Sequence, residues 1–211
     1  MSDVANERDE ASFSLPATWE SERLLARQYV PSDARLLVEV YRANRDRLID
    51  DFPARVSQIV DVKSAETFIH ERAQLWKKRN AFFFGVWDKA TKSYAGEVCF
   101  KDLLWAVPKA DIGYFVVREC EGKGIMSASV AMLLPFAFEW LLLEKLQLRC
   151  SVQNVASRRV AERCGFLLEG VLRNDVVRGK ERTPIDLVYY GMTPEDFRRL
   201  QLKPPTREGS N

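Results

Sequence analysis

Seven segments of the chain are rich in aromatic and β-branched residues and are bounded by polar or turn-forming residues, a pattern that predicts β-strands. They are RLLARQYV (23–30), NAFFFGVWD (80–88), SYAGEVCFKD (93–102), ADIGYFVV (110–117), KLQLRCSV (145–152), GFLLEGVLR (165–173) and PIDLVYYGM (184–192). The polar turn KATK separates the second segment from the third, and a turn containing RGK separates the last two. We therefore predict two antiparallel hairpins within a larger sheet.

Four other segments carry apolar residues at helical spacing and predict helices. They are PSDARLLVEVYRANRDRL (31–48), SAETFIHERAQLWKKR (64–79), a segment from Ile125 to about Leu142, and ASRRVAERC (156–164). We expect Ser32 or Asp33 near the cap of the first helix and Ser64 as the N-cap of the second. Pro135 removes one backbone hydrogen bond within the third helix and should bend it.

Strands and helices mix along the whole chain, which favours a single α/β (α+β) domain over residues 19–198. A chain of 211 residues can bury one good-sized core and hardly two. The polar ends, residues 1–18 and 199–211, are expected to be flexible segments.

Composition and charge argue against several classes of function. The formal net charge is +2, so charge alone predicts no direct nucleic-acid partner. The acidic, polar start and the lack of a long apolar run predict neither a signal peptide nor a membrane anchor. The four cysteines, Cys99, Cys120, Cys150 and Cys164, form no CxxC pair, which favours free thiols in a cytoplasmic protein and no metal site.

The single histidine limits the chemistry further. His70 lies within the amphipathic segment 64–79, and its sequence context offers no base or orienting partner. A nucleophile activated by histidine needs such a partner. We therefore interpret His70 as an ordinary helix residue.

The segment ECEGKGIMSASVAMLL places two glycines directly before a helix, after the strand GYFVV. The first amides of a helix are unpaired and carry partial positive charge, and glycine lets them approach a phosphate closely. Gly122, Lys123 and Gly124 therefore fit a phosphate cradle, although neither a Walker A loop nor GxGxxG is present. A plain strand-to-helix turn is the alternative.

A second strand-to-helix junction follows after one helix and one strand. It holds Asn154 and Ser157 at a helix start, and Gly165 and Phe166 at the next turn. Helix capping explains each residue separately. It does not explain why a second junction of this kind follows the first so closely.

Together these motifs resemble those of the GNAT acetyltransferases, and within them the RimJ/RimL-type enzymes that acetylate N-terminal amines of ribosomal proteins. Residues 121–126, EGKGIM, are similar to the pyrophosphate loop R/Q-x-x-G-x-G/A of that superfamily, and the Met is usual for the subgroup. Further similar segments are SERLLAR, NRDRLIDDFP, AFFFGVWD, N-x-x-S followed by G-F, and LEGVLR to PEDF, over residues 21–197. Glu121 departs from the motif, which has Arg or Gln at this position, and a carboxylate near a pyrophosphate is repulsive.

The resemblance implies a mixed, mostly antiparallel twisted sheet of about seven strands, split in a V and flanked by about four helices. It implies acetyl-CoA as the co-substrate and no metal. The backbone near Tyr114, Phe115 and Val116 would hold the pantetheine arm. The pyrophosphate and the rest of the donor would contact Gly122, Lys123, Gly124, Ile125, Met126, Ser127, Asn154 and Ser157.

The implied chemistry is direct attack of a neutral amine on the thioester. An α-amine with a pKa near 7.7–8.0 needs only a weak base. The candidate bases are Glu97 and Asp111, on strands expected to flank the cleft, and Asp175, near a glutamate considered as base in the subgroup. Ser157 matches the position proposed as general acid, and either orients a donor or only caps its helix. Cys150 is interpreted as a core residue in preference to an acetylated nucleophile.

Three functions stay open for the acceptor side. The first is acetylation of a protein N-terminus, possibly that of a ribosomal protein, which Asp50 and Asp51 would attract. The second is acetylation of a small amine, such as an aminoglycoside, a polyamine or an amino acid. The third is a non-catalytic CoA-binding module in ribosome assembly. The protein would be a monomer or a homodimer.

Overall fold

The computed structural model describes residues 14–179 and 181–202. The predicted flexible segments therefore lie mostly outside the described residues. The last helix continues to Leu202, so residues 199–202 of the predicted C-terminal tail are helical.

The described residues form one sheet of eight strands. They are β1 (Thr18–Glu20), β2 (Leu24–Arg27), β3 (Phe82–Asp88), β4 (Ser93–Leu104), β5 (Lys109–Val116), β6 (Lys145–Ser151), β7 (Leu167–Arg178) and β8 (Thr183–Met192). The strand order is β1-β2-β3-β4-β5-β6-β8-β7. β5 and β6 run parallel, and the other neighbours in this sheet run antiparallel. The fold class and both hairpins are confirmed, and β1 is the additional strand.

Seven α-helices occur among the described residues, instead of about four. They are α1 (Ala34–Ala43), α2 (Arg45–Leu48), α3 (Pro53–Gln58), α4 (Val62–Lys77), α5 (Ile125–Pro135), α6 (Val155–Arg163) and α7 (Pro194–Leu202). The helix predicted over residues 31–48 is interrupted at Asn44. After Pro135 the chain continues as a π-helical turn, Phe136–Trp140. This is consistent with the missing proline N–H. The helices α2 and α3 are too short to show a clear apolar period.

Of the two predicted helix caps, the first has the predicted position and the second is wrong. Asp33 is the N-cap residue of α1, but its carboxylate accepts the Val30 N–H at 2.8 Å and pairs with Arg27 at 2.7 Å, and it makes no cap hydrogen bond to α1. Asp61 caps α4 by accepting the Ser64 N–H at 2.8 Å, and Ser64 is the third helical residue. The Ser64 hydroxyl accepts the Asp61 N–H in return, which completes a capping box.

Apolar side chains cover both faces of the sheet. The face that carries Phe84 packs with Val130 and Leu133 of α5. The opposite face carries Phe83 and packs with Leu37 of α1 and other residues of α1 and α4. Neighbouring residues of β3 therefore face different cores, as the two-residue period of a strand requires. For this reason the buried strand β3 is an almost continuous apolar run.

The sheet is split between β5 and β6. The two strands pair at Lys109–Asp111 with Lys145–Gln147, and no pairing follows beyond these residues in the described sheet. Residues 112–116 and 148–151 therefore diverge and leave a V-shaped opening at the carboxyl ends of two parallel strands. A ligand can bind backbone groups there that no neighbouring strand takes.

Candidate active site

A groove of about 390 Å³ begins at this opening. One wall comes from β5 and the other from β6, the start of α6 and the end of β7. The segment between α2 and α3 closes the groove at the front. Its polar lining includes Asp50, Asp51, Lys101, Asp111, Tyr114, Arg149, Cys150, Asn154, Ser157 and Arg178. Its volume is typical of a small-molecule site.

The glycine turn lies at the N-terminus of α5. Gly122 and Gly124 have φ angles of 69° and 72°, the left-handed region that glycine adopts without strain. Ile125 and Met126 bury their side chains in the core, which fixes the first turn of the helix. The Ala128 N–H makes the first helical bond, to the Gly124 carbonyl, at 3.0 Å. The amides of residues 125–127 therefore have no preceding helical acceptor and suit a pyrophosphate.

We expect Gly124→Asp to raise the KM for acetyl-CoA by about tenfold or more with little change in kcat, because a carboxylate there repels the diphosphate. A side chain has room at this position, since no atom lies within 4 Å of an added Cβ. Steady-state kinetics at saturating acceptor measure the effect. Gly124→Asn is the matched control, because Asn has the same shape and also tolerates a positive φ. Equal KM values for the two variants would count against the phosphate assignment.

The turn carries two charged residues, Lys123 and Glu121, and each contacts an arginine of another segment. Lys123 is exposed, and its carbonyl accepts a hydrogen bond from the Arg23 guanidinium at 3.1 Å. Glu121 pairs with Arg47 of α2. The Arg47 guanidinium therefore opposes the expected repulsion between Glu121 and a pyrophosphate. This ion pair was not predicted from the sequence.

Tyr114 and Ser157 meet across the opening. The Tyr114 hydroxyl lies 2.9 Å from Ser157 Oγ and 3.1 Å from the Ser157 carbonyl oxygen. Burial raises the pKa of Tyr114, so its hydroxyl stays protonated. Asn154 caps α6, because its Oδ1 accepts the Ser157 N–H at 3.0 Å. The sequence predicted the backbone of Tyr114 and the side chains of Ser157 and Asn154 for the donor, and all three line the groove.

Phe115 and Val116 are placed differently from Tyr114. The Phe115 side chain is buried among the aromatic rings of Tyr41 and Phe52, with centroids 5.8 Å away in both pairs. The Val116 carbonyl accepts a long hydrogen bond of 3.4 Å from Arg47. Backbone contact with a pantetheine arm at these two residues stays a prediction.

Cys150 lies on the β6 wall of the groove, near Ser157. Burial raises the pKa of the Cys150 thiol, and the Ser157 hydroxyl opposes this shift. A raised pKa keeps the thiol protonated at neutral pH, and a thiol is a weak nucleophile compared with a thiolate. This favours the interpretation of Cys150 as a packing residue.

Asp111 projects into the groove from the last paired residue of β5. Its side chain is 15 % exposed, and its Oδ2 lies 2.9 Å from the Arg149 Nε. Burial raises the pKa of Asp111, and the nearby Arg149 and Lys101 cations oppose the shift. A partly desolvated carboxylate with a raised pKa is a better proton acceptor than one in bulk water.

Glu97 lies outside the groove, so its position does not support the predicted role as base. It is fully buried between β4 and the helices, where it pairs with Arg55 of α3. It also accepts a hydrogen bond of 2.8 Å from the Tyr29 hydroxyl. The contacts with Arg55 and Tyr29 stabilise the Glu97 carboxylate inside the core, which indicates a structural role.

Asp175 lies near the groove but not in its lining. It is exposed on β7, and its Oδ2 accepts a hydrogen bond of 2.6 Å from the Tyr189 hydroxyl. The chain is irregular here, because the pairing of β7 with β8 shifts register between Leu172 and Val176. Asp175 as the base stays a prediction, and Asp111 has the better placement.

Sequence reasoning missed four ionisable groups of this groove. They are the hydroxyl of Tyr114 and the side chains of Lys101, Arg149 and Arg178. For Arg149 the sequence did contain a signal, the alternation of polar and apolar residues along β6. Leu146 and Leu148 are apolar and buried, and the alternate positions Lys145, Gln147 and Arg149 are polar. The pattern identified a polar face, but not the carboxylate on the neighbouring strand.

The described ranges, 14–179 and 181–202, contain neither a metal-binding cluster nor a membrane-spanning helix. Within them no group of three or more His, Cys, Asp or Glu side chains could hold a metal ion. Within the same ranges no helix has both the length and the hydropathy to cross a membrane.

The chain matches the acetyltransferase (GNAT) domain family over residues 23–167 and therefore belongs to that family. It is an acetyl-CoA-dependent N-acetyltransferase, as the motifs predicted. The free amides of the glycine turn and the divergence of β5 and β6 fit the diphosphate and the extended arm of that co-substrate.

The relatives agree with this class. The chain is 32% identical over 182 residues, 84% of its length and 94% of the other, to "Putative ribosomal N-acetyltransferase YdaF" of Bacillus subtilis (strain 168). It is 30% identical to a solved structure described as "Probable acetyltransferase", with a TM-score of 0.74, covering 85% of this chain and 98% of that one. A RimL ribosomal L7/L12 acetyltransferase solved with coenzyme A shares the fold, with a TM-score of 0.74 and 23% identity over 85% and 97% of the two chains.

Proposed function

We propose that the protein acetylates the N-terminal α-amine of a protein, and that a ribosomal protein supplies this terminus. The name of the Bacillus subtilis relative supports the ribosomal class of acceptor. The single observation that carries the proposal is the placement of Asp111 and the Tyr114–Ser157 pair in one groove, next to the split of the sheet. This gives a proton acceptor for the amine and hydroxyl groups for the leaving sulfur.

The charge of the groove favours an acceptor with a single amine. Three carboxylates, Asp50, Asp51 and Asp111, line it together with three cations, Lys101, Arg149 and Arg178. Arg178 pairs with Asp51, and Arg149 pairs with Asp111. A polyamine or an aminoglycoside carries several positive charges and would need an excess of carboxylates. A peptide N-terminus brings one amine and backbone groups that either charge can bind.

The proposed chemistry balances with these residues. The amine nitrogen bonds to the thioester carbonyl carbon, and the C–S bond breaks with its electron pair on sulfur. Asp111 takes the amine proton, directly or through one water. The Ser157 hydroxyl, held by Tyr114, donates its proton to the thiolate. The proton that Asp111 took from the amine returns to Ser157 through water, so the net transfer is one proton from nitrogen to sulfur. An α-amine is partly neutral at pH 7, so Asp111 needs only modest basicity.

The test of this proposal is a panel of acceptors. The protein is incubated with acetyl-CoA and with peptides that have a free N-terminus, polyamines or aminoglycosides, and the products are identified by mass. We expect acetylation of peptides at the α-amine. The matched control is the same peptide with a blocked N-terminus and an internal lysine, which should give no product. Acetylation of small amines alone would contradict the proposal, and so would bound CoA without any product.

We expect Ser157→Ala to lower kcat by about tenfold while the KM for acetyl-CoA changes by less than about twofold. The helix cap survives this change, because Asn154 accepts the backbone N–H of residue 157, which alanine keeps. The two effects can therefore be separated. Asn154→Ala is the complementary variant, since it removes the cap at a cost of about 1 kcal/mol of stability. Wild-type turnover of Ser157→Ala would leave Ser157 without a role in the reaction.

A further inference from the structure

Arg47 of α2 contacts the segment that leads into the glycine turn. Its Nη2 donates to the Glu121 carboxylate. Its Nη1 donates to the Val116 carbonyl at 3.4 Å and to Asn44 Oδ1 at 3.1 Å. Three acceptors therefore fix one guanidinium directly before Gly122.

Asn44 makes this arrangement rigid. Its side chain is buried, and its Oδ1 also accepts the Arg118 N–H at 3.0 Å. Its Nδ2 donates to the Val40 carbonyl of α1 at 3.0 Å. The amide thus ties the end of α1 to the segment before the turn and holds Arg47 at the same time.

The pair has an electrostatic consequence for donor binding. Glu121 is 51% exposed and lies four residues before the first of the free amides, those of residues 125–127, whereas Arg47 is 27% exposed. An unpaired carboxylate at this place would repel the two negative charges of the diphosphate. The other charged side chains of residues 118–123 are Arg118, Glu119 and Lys123, and Arg118 pairs with Asp46 at 2.6 Å.

We propose that Arg47 is a donor-positioning residue, the counter-ion that allows this chain to carry a carboxylate at the first position of its pyrophosphate loop. Arg47 acts through Glu121: it neutralises the carboxylate and keeps it away from the free amides. The proposal rests on acetyl-CoA binding, which the family requires, and not on the identity of the acceptor.

A double-mutant cycle read by titration calorimetry with CoA tests this proposal. We expect Arg47→Met to raise the Kd for CoA by about three- to tenfold, the effect of one uncompensated charge near a diphosphate in a hydrated site. Glu121→Gln should bind CoA as tightly as the wild type or slightly more tightly. The variant with both changes should return to within about twofold of the wild-type Kd, because the repelling charge is gone.

Two controls separate charge from structure. Arg118→Met breaks the neighbouring Arg118–Asp46 pair, and Glu121→Gln should alter its effect on the Kd much less than it alters that of Arg47→Met, because Arg118 makes its ion pair with Asp46. The Arg47→Met defect should shrink as salt is raised, since the repulsion is screened. A double variant that binds CoA as weakly as Arg47→Met would overturn the proposal, as would unchanged binding in Arg47→Met. No acceptor is present in this experiment, so its outcome is independent of the proposed function.

Discussion

Asp111→Asn is expected to lower kcat/KM by about 10²-fold, the usual contribution of a general base. The amide keeps the size of the side chain but cannot take the amine proton. The KM for acetyl-CoA should stay close to that of the wild type, because the proposed role of Asp111 is to take the proton of the acceptor amine. Steady-state kinetics with an N-terminal peptide as acceptor measure both parameters.

The pH dependence gives a second readout for Asp111. Catalysis requires the ionised carboxylate, so the wild-type rate falls as pH drops through the pKa of Asp111, which burial raises above its usual range. The peptide amine must also be neutral, and it gives a separate limb near pH 8. Asp111→Asn should keep the limb of the amine and lose the more acidic one.

The control for Asp111 is Asp175, the candidate base that lies outside the groove lining. Asp175→Asn should leave kcat/KM within about threefold of the wild type, since Asp175 bonds to Tyr189 outside the groove lining. The opposite result, a large loss in Asp175→Asn and little loss in Asp111→Asn, would assign the base to β7. Equal activity of all three proteins would mean that the amine needs no side-chain base.

Glu97→Ala is expected to reduce the free energy of unfolding by about 3–5 kcal/mol, because it leaves the buried Arg55 without its counter-ion. For a chain of this size the loss lowers the Tm by roughly 10 °C. Arg55 also stacks over Phe52 and Phe83, at 4.8 Å and 5.3 Å from the ring centroids, so it cannot easily swing out to solvent. Thermal unfolding followed by circular dichroism measures the shift.

A milder substitution of Glu97 provides a control, because two tyrosine hydroxyls lie close to its carboxylate. Burial raises the pKa of Tyr29 and Tyr94 well above their usual values, so both stay protonated. Tyr29 donates to Glu97, and the two hydroxyls lie 2.8 Å apart. Glu97→Gln keeps an acceptor for Tyr29 and should cost less than Glu97→Ala. Replacing Glu97 by Gln and Arg55 by Met together should recover much of the stability. A stable Glu97→Ala protein with a strongly reduced kcat would instead make Glu97 part of the reaction.

The sequence predicted the elements whose signals are local. The glycine turn, Ser157 at the second junction and the two hairpins depend on residues within a few positions of one another, where capping and turn chemistry act. The short elements β1 and α3 were missed because three to six residues show no clear period. The residues of α2 were predicted as the end of the first helix, without the break at Asn44. The α7 segment was read as part of a motif, and its helix was not predicted.

Local patterns could not distinguish Glu97 from Asp111. Both lie on neighbouring strands, where Glu97 pairs with Phe115 and Asp111 pairs with Lys101, and both point to the same face of the sheet. What covers them differs: α3 places Arg55 over Glu97, and the split of the sheet leaves Asp111 in the groove. Likewise, Arg47 and Glu121 are 74 residues apart, and no local rule joins them.

By itself, therefore, the sequence determined the class of protein, the glycine turn before α5 and the residues at the second strand-to-helix junction. The tertiary structure decided which carboxylate is buried with a counter-ion, which one lines the groove and how the charge of Glu121 is compensated. The physical reason is that caps and turns arise from neighbours in the chain, whereas burial, ion pairing and pKa depend on segments that only folding brings together.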